Sequence, residues 1–254
     1  MNAILFDANQ CVGCKACVYA CARENDLPDT DKERLSQHRF TALEVIDEDE
    51  EWYLRRMCMH CVEPSCASAC PVGALKKTEA GPVVYDFDKC IGCRYCMVAC
   101  PFNVPRYEWD SMTPRVRKCQ MCQERVAAGK STACAEACPT GATTFGERSA
   151  LVAEAWRRIK SDPDAYAQHV YGEKEAGGTC VLIIGPQEVM NALNPNIPNG
   201  PLPHRTWFVL SQIPAAVGVV GAGLAGANWI IRRRMKLATL NASNPREEIE
   251  REEP

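Results

Sequence analysis

Histidine is scarce in this 254-residue chain. His38, His60, His169 and His204 are scattered, so no His–carboxylate metal centre and no Ser–His–Asp arrangement runs through them. A Gly-rich phosphate loop is absent, which removes the usual nucleotide chemistry. Positive charge is not in excess either. Lys and Arg number 29 against 32 Asp and Glu, for a formal net charge of −3, and without a basic footprint nucleic acid is not an expected partner. Residues 1–10 carry no charged leader, long apolar run or twin arginine, so they are not expected to direct export. The chain is expected to have no catalytic apparatus of its own.

Cysteine is abundant by contrast. Of 17 cysteines, sixteen form four groups of four. Cys11, Cys14, Cys17 and Cys21 are spaced C-x2-C-x2-C-x3-C. Cys58, Cys61, Cys66 and Cys70 are spaced C-x2-C-x4-C-x3-C-P. Cys90, Cys93, Cys96 and Cys100 follow C-x2-C-x2-C-x3-C-P, and Cys119, Cys122, Cys134 and Cys138 follow C-x2-C-x11-C-x3-C-P. Three thiolates two residues apart, then a fourth followed by Pro, is the ligand run of bacterial 4Fe–4S ferredoxins.

Other uses of cysteine fit less well. Disulfide scaffolds are short because bridges replace a core, whereas this chain is 46% hydrophobic, and cysteines at x2 spacing are poor partners for separate bridges. Zinc takes C-x2-C half-sites, and four zinc sites would also use sixteen cysteines. Zinc has no use, however, for a third cysteine at the next x2 step. A cubane has one, because a three-thiolate loop wraps its face and the fourth cysteine usually ligates the other cluster of a pair. Covalent haem needs C-x-x-C-H, but Cys14, Cys61, Cys93 and Cys122 are followed by Lys15, Val62, Arg94 and Gln123. An oxidised 4Fe–4S core with its thiolates carries about −2, so four would add roughly −8. Arg94, Arg106, Arg115, Arg117 and Lys118 lie near the cysteines; each reads first as a solvated charge and second as a counter-charge. His60, between Cys58 and Cys61, either hydrogen-bonds a cluster or faces solvent.

Along the chain, Glu51-Trp52-Tyr53-Leu54 and Pro82-Val83-Val84-Tyr85-Asp86 read as short strands. The Cys-Pro-Val-Gly-Ala and Cys-Pro-Thr-Gly-Ala segments at Cys70 and Cys138 read as turns leaving a cluster; the first group lacks this proline, since Ala22 follows Cys21. The quartets are an internal repeat with a small core, in which coordination supplies much of the folding energy. Residues 26–39 and 47–51 read as solvated loops. Leu151, Val152, Ala155, Trp156 and Ile159 share one face of a helix over 149–160, with Trp156 a packing residue. Residues 179–184 read as a buried strand in which Cys180 is a small hydrophobe. Pro195, Pro198, Pro201 and Pro203 mark 191–203 as a linker.

Residues 207–231 hold no charge and as a helix would span roughly 37 Å, against about 30 Å of hydrocarbon. Trp207 and Trp229 sit near its ends. Arg232, Arg233, Arg234 and Lys236 follow directly, with only Arg205 near the other end, which favours a cytoplasmic C-terminus and a periplasmic cysteine-bearing body over the inverse orientation; a buried helix in a soluble complex is the other reading of the segment. Gly218, Ala222 and Gly226 form a stripe suited to packing on another membrane helix, and Ser211, Gln212 and Asn228 favour a protein neighbour over lipid. Residues 244–254 read as a disordered acidic tail.

The four quartets, the phrase Cys90-Ile-Gly-Cys-Arg-Tyr-Cys-Met-Val-Ala-Cys-Pro-Phe-Asn-Val-Pro-Arg and the run Arg117-Lys-Cys-Gln-Met-Cys resemble the four-cluster electron-transfer (beta) subunit of complex iron–sulfur molybdoenzymes. The likeness covers about residues 3 to 150. Tyr171-Gly-Glu-Lys-Glu-Ala-Gly-Gly-Thr and the C-terminal helix narrow it to the formate dehydrogenase N beta subunit and its relative in uptake nickel–iron hydrogenase. The resemblance implies an α+β fold of two nested ferredoxin-like dicluster units. The outer one is formed by residues 1–49 and 103–147, and the inner one by 50–102. A helix/strand extension and linker (148–203), one transmembrane helix (204–236) and the tail (237–254) follow. It further implies four 4Fe–4S clusters, ligated by Cys11, Cys14, Cys17 and Cys138; by Cys21, Cys119, Cys122 and Cys134; by Cys58, Cys61, Cys66 and Cys100; and by Cys70, Cys90, Cys93 and Cys96. Spacing alone does not show this pairing. The expected role is non-catalytic: an electron relay between a large molybdopterin or nickel–iron subunit and a quinone-reactive cytochrome b subunit in the membrane. A signal-bearing partner would carry the chain across. A four-zinc structural subunit and a stand-alone polyferredoxin are the alternatives.

Overall fold

The structure is a computed structural model that describes residues 1–28, 34–47, 49 and 51–242, with side chains to 240. It divides into two compact units, Met1–Pro203 and His204–Pro254.

The first unit begins with β1 (Asn2–Asp7), an apolar run buried on both faces. A 3-10 turn capped by the Asp7 carboxylate, which accepts the Asn9 N–H, leads through the first cysteine loop to α1 (Ala16–Glu24). The hairpin of β2 (Ala42–Asp47) and β3 (Trp52–Arg56) follows. Helix α2 (Ser65–Ser68) precedes a smaller hairpin, β4 (Leu75–Lys77) with β5 (Val83–Tyr85), and α3 (Tyr95–Ala99) comes after it; α2 packs on α3. A third hairpin pairs β6 (Arg106–Tyr107) with β7 (Val116–Arg117). The fourth cysteine group surrounds α4 (Gln123–Ala127) and α5 (Ala133–Glu136), and α5 packs on α1. Strand β8 (Thr143–Glu147), α6 (Arg148–Ser161), β9 (Val181–Ile184) and α7 (Gln187–Asn191) follow.

The main sheet is ordered β8-β1-β9. β8 is antiparallel to β1, with Phe145 opposite Ile4, and β9 is parallel to it, with Val181 opposite Ile4. The central strand, covered on both faces, therefore reads as a continuous apolar run, not an alternating one. Helix α6 covers this sheet through Leu151, Ala155 and Ile159, and its first N–H groups are capped by the Glu147 carboxylate.

Residues 148–203 are thus part of the body and not an appendage. All four β9 residues are buried, as is Cys180. Residues 191–203, expected as a linker, are pinned to the core by apolar side chains before and between the prolines: Leu193 and Ile197 are buried, and Leu202 packs against the same core. A second apolar cluster joins Cys66, Leu75, Val83 and Cys96 to Tyr107 and Val116. The β6–β7 hairpin therefore packs with the 50–102 stretch, although the boundary at 102 leaves it out. Hydrogen bonds explain this: the Val116 N–H donates to the Tyr85 hydroxyl (3.2 Å), and the Tyr107 hydroxyl donates to the Gly92 carbonyl (3.4 Å).

The second unit contains most of α8 (Leu202–Leu210) and all of α9 (Ile213–Ala242). The single helix expected over 207–231 is interrupted at Ser211 and Gln212. Pro214 has no N–H to donate, and the Gln212 N–H closes a tighter bond to the Val209 carbonyl (3.2 Å). Taken together, Leu202–Leu240 is long and apolar enough to cross a membrane. Helix α9 runs past 236, so 237–242 are helical where a disordered tail was expected. The tail from 243 on, and residues 29–33, 48 and 50 of the expected loops, lie outside the described residues.

Candidate functional site

Two cysteine loops share one geometry. Each follows a 3-10 turn with an aspartate cap, Asp7 before Cys11 and Asp86 before Cys90. Each then passes through left-handed residues, Gly13 and Lys15 in one and Gly92 and Arg94 in the other, before α1 or α3. In the fourth group Met121 and Cys122 are left-handed. This winding turns backbone N–H groups inward: Gly92 donates to Cys90 Sγ (3.4 Å) and Met121 to Cys119 Sγ (3.3 Å). An aromatic closes each of the two matching loops, Tyr53 over Gly13 and Tyr107 over Gly92. A Cβ at Gly13 (φ +68°) would run into the Tyr53 ring, whereas one at Gly129 (φ +71°) would meet nothing. Gly13→Ala is therefore expected to lose metal from the first loop while Gly129→Ala keeps it, as read by iron content. Equal iron in both variants would show that the loop tolerates the clash.

The Cys-Pro-x-Gly-Ala turns do more than lead the chain away. Gly73 and Gly141 are left-handed, and the Ala74 and Thr143 N–H groups donate to Cys70 Sγ (3.2 Å) and Cys138 Sγ (3.4 Å). Burial works to raise both thiols, but these and neighbouring backbone N–H groups outweigh it and hold both below the ordinary cysteine value.

The other thiols show which cysteines stand together. Burial, then Cys17, Cys138 and Cys14, push Cys11 up to about 11. Burial, then Cys134, Cys122 and Cys17, push Cys21 up to about 12, and burial with Cys21, Cys58 and Cys134 raises Cys119. Cys61 is raised by burial, Cys58, Cys100 and Cys66, and Cys66 reaches about 12 through burial and the same neighbourhood. Cys96 is pushed up to about 11 by burial, Cys90, Cys93 and Cys70. The fold thus brings Cys138 to the first group, Cys21 to the fourth, Cys100 to the second and Cys70 to the third. Such buried thiols hold their protons, and ligation of metal releases them. Among the described residues no three Cys, His, Asp or Glu side chains converge closely enough to share one ion, as tetrahedral zinc requires. Thiolates at the corners of a cubane stand farther apart.

His60 supplies a second sign of fit. It is fully buried, which overturns the solvent-facing alternative. Its Nδ1 accepts the Val83 N–H (2.9 Å). Burial, then Lys118 and Lys77, hold its pKa well below the ordinary value, so the neutral ring carries its proton on Nε2. That donor has no partner among the described residues. An orphaned N–H beside Cys58 and Cys61 suits a group rich in sulfur acceptors.

The basic residues divide. Arg94 stacks on Tyr107 and Trp109, Arg115 lies 4.0 Å over Phe87, Arg106 donates to the Leu35 carbonyl (3.1 Å), and Arg117 pairs with Glu108 (3.3 Å). Lys118 is not solvated: it is 4% exposed, donates to the Cys119 carbonyl (3.1 Å), and faces Cys66 and Cys100. Arg55, which the sequence did not single out, is buried beside Cys134, Cys17 and Cys21. Strand alternation was the available signal, since it puts Arg55 on the same side of β3 as Tyr53, the residue that closes the first loop.

A family model described as a 4Fe–4S dicluster domain matches residues 50–148. The hydrogenase-2 operon protein HybA of Escherichia coli is 34% identical over 278 residues, covering 92% of this chain and 84% of that protein. The formate dehydrogenase iron–sulfur subunit of Haemophilus influenzae is 35% identical over 244 residues, covering 87% and 77%. The formate dehydrogenase-O iron–sulfur subunit of Escherichia coli is 35% identical over 239 residues, covering 84% and 77%.

Proposed function

From the premise that the chain belongs to the family of iron–sulfur electron-transfer subunits, not catalytic ones, represented by these formate dehydrogenase and hydrogenase relatives, we propose that it is the electron relay of a membrane-bound respiratory oxidoreductase. It would stand between a molybdenum, tungsten or nickel–iron catalytic subunit and a quinone-reactive membrane cytochrome. When bound, 4Fe–4S clusters supply one-electron carriers. The chain's own part is to hold four of them, exclude water and fix the charges around them.

The observation that carries this reading is the company each thiol keeps across sequence groups. Cys138 beside Cys11, Cys14 and Cys17 supports one set, and Cys21 beside Cys134 and Cys122, with Cys119 adjacent, supports a second. Cys58, Cys61, Cys66 and Cys100 make the third, and Cys70, Cys90, Cys93 and Cys96 the fourth. The first two sets would lie in an outer ferredoxin-like unit built on α1, α5, β1 and β8, and the last two in an inner unit built on α2, α3, β4 and β5. The apolar Leu202–Leu240 segment would cross the membrane once, with Arg232, Arg233, Arg234 and Lys236 on the cytoplasmic side.

Isolated with its partners from detergent-solubilised membranes, the chain is expected to carry iron and acid-labile sulfide equivalent to four clusters, and to bring down one large subunit and one multi-span subunit. Zinc without iron would replace this reading by a structural one. Iron without a large subunit would make the chain a stand-alone polyferredoxin.

A further inference from the structure

Among the described residues, both buried carboxylates of the first unit have an evident partner. Asp7 is fully buried and pairs with Arg158 (2.9 Å) and the Tyr166 hydroxyl (2.9 Å). Glu175 pairs with His169 (2.7 Å) and accepts the Gly172 N–H (2.7 Å). Arg55 is different. It is 2% exposed, and no carboxylate lies within ion-pair distance of it among the described residues. Its Nε donates to Thr41 Oγ1 (3.0 Å) and its Nη1 to Thr143 Oγ1 (3.2 Å), both neutral and both buried. A guanidinium is always charged, and burying one without a counter-charge is strongly unfavourable. What faces it is sulfur: it lies beside Cys134 and in the field of Cys17 and Cys21. Cys17 belongs to one proposed outer set, and Cys21 and Cys134 to the other.

We infer that Arg55 is the shared counter-charge of the two outer clusters and sets how readily both accept an electron. This rests on the four-cluster reading above. The two threonines hold the guanidinium so that it cannot turn out to solvent, and at a buried site salt screens its charge little. A fixed positive charge favours the more negative, reduced form of a cluster and raises its potential. Placed between two clusters, it also offsets their mutual repulsion when both are reduced.

The test is an EPR-monitored redox titration of the full chain in its complex, with iron content measured on the same samples and the outer signals assigned from single-cysteine variants. Arg55→Gln removes the charge and keeps a polar side chain; Arg55→Lys keeps the charge. In Arg55→Gln the reduction equilibrium of at least one outer cluster is expected to fall tenfold or more, about 59 mV for a one-electron couple. The inner pair, which has its own buried Lys118, stays in place. Arg55→Lys is expected to remain near the parent potentials. A fully loaded Arg55→Gln with unshifted outer potentials would overturn the inference. If Arg55→Gln loses the outer clusters, Arg55→Lys decides: loading with near-parent potentials supports the charge, and failure to load, or loading with shifted potentials, assigns Arg55 a packing role. Iron content of the parent complex tests the four-cluster reading separately.

Discussion

Cys138→Ser is expected to abolish the cluster held by Cys11, Cys14 and Cys17 while leaving the fourth group's own cluster in place. Cys138 follows Cys134 in sequence, but its thiol stands beside Cys11. The Thr143 N–H and the Thr140 hydroxyl aim at that sulfur and favour its thiolate. Serine keeps those hydrogen bonds and presents a hard alkoxide, a poor match for a soft site, so the loss reports ligation and not misfolding of the turn. Iron and sulfide should fall by one cluster, and the EPR signal that disappears should be the one also lost in Cys11→Ser. Disappearance of the signal lost in Cys122→Ser instead would refute the cross-group pairing.

Leu182→Ala is expected to destabilise the whole body. Leu182 is fully buried in β9, beside Leu5 of the central strand, and removing such a side chain costs about 2–5 kcal/mol through lost burial and a residual cavity. Denaturant unfolding followed by cluster absorbance should show a lower midpoint in the variant. An unchanged midpoint would mean that residues 148–203 fold apart from the cysteine-bearing part.

These two residues also mark what the sequence could and could not reveal. Ligation demands fixed residue types at short spacing, so all sixteen cysteines were visible as groups, and the Cys-Pro-x-Gly-Ala turns came with them. Which group lends its fourth thiol to which is a matter of tertiary approach, such as α1 on α5, and leaves no local pattern. Leu193 and Ile197 lay hidden among prolines, which report backbone stiffness but not whether the stiff segment is packed. Lys118 read first as a solvated cation, and Arg55 drew no reading at all, because charge alone does not show burial. Under the four-cluster reading, the charge that would hold them inside belongs to the clusters, which the sequence does not spell out. The break at Ser211 and Gln212 was legible in principle from Pro214, but the unbroken apolar composition of the stretch hid it.

The position of β1 has a consequence for synthesis on the ribosome. The strand emerges first, yet it sits between β8 and β9, so its backbone has no neighbour until residue 147 has left the exit tunnel and only one until residue 184 has. The β4–β5 hairpin with α2 and α3, by contrast, closes through contacts near in sequence, and local contacts form early. The nascent chain therefore exposes an apolar strand and unligated thiols for most of its translation. That interval is when a chaperone has access to the apolar strand, before β8 and β9 pair with it.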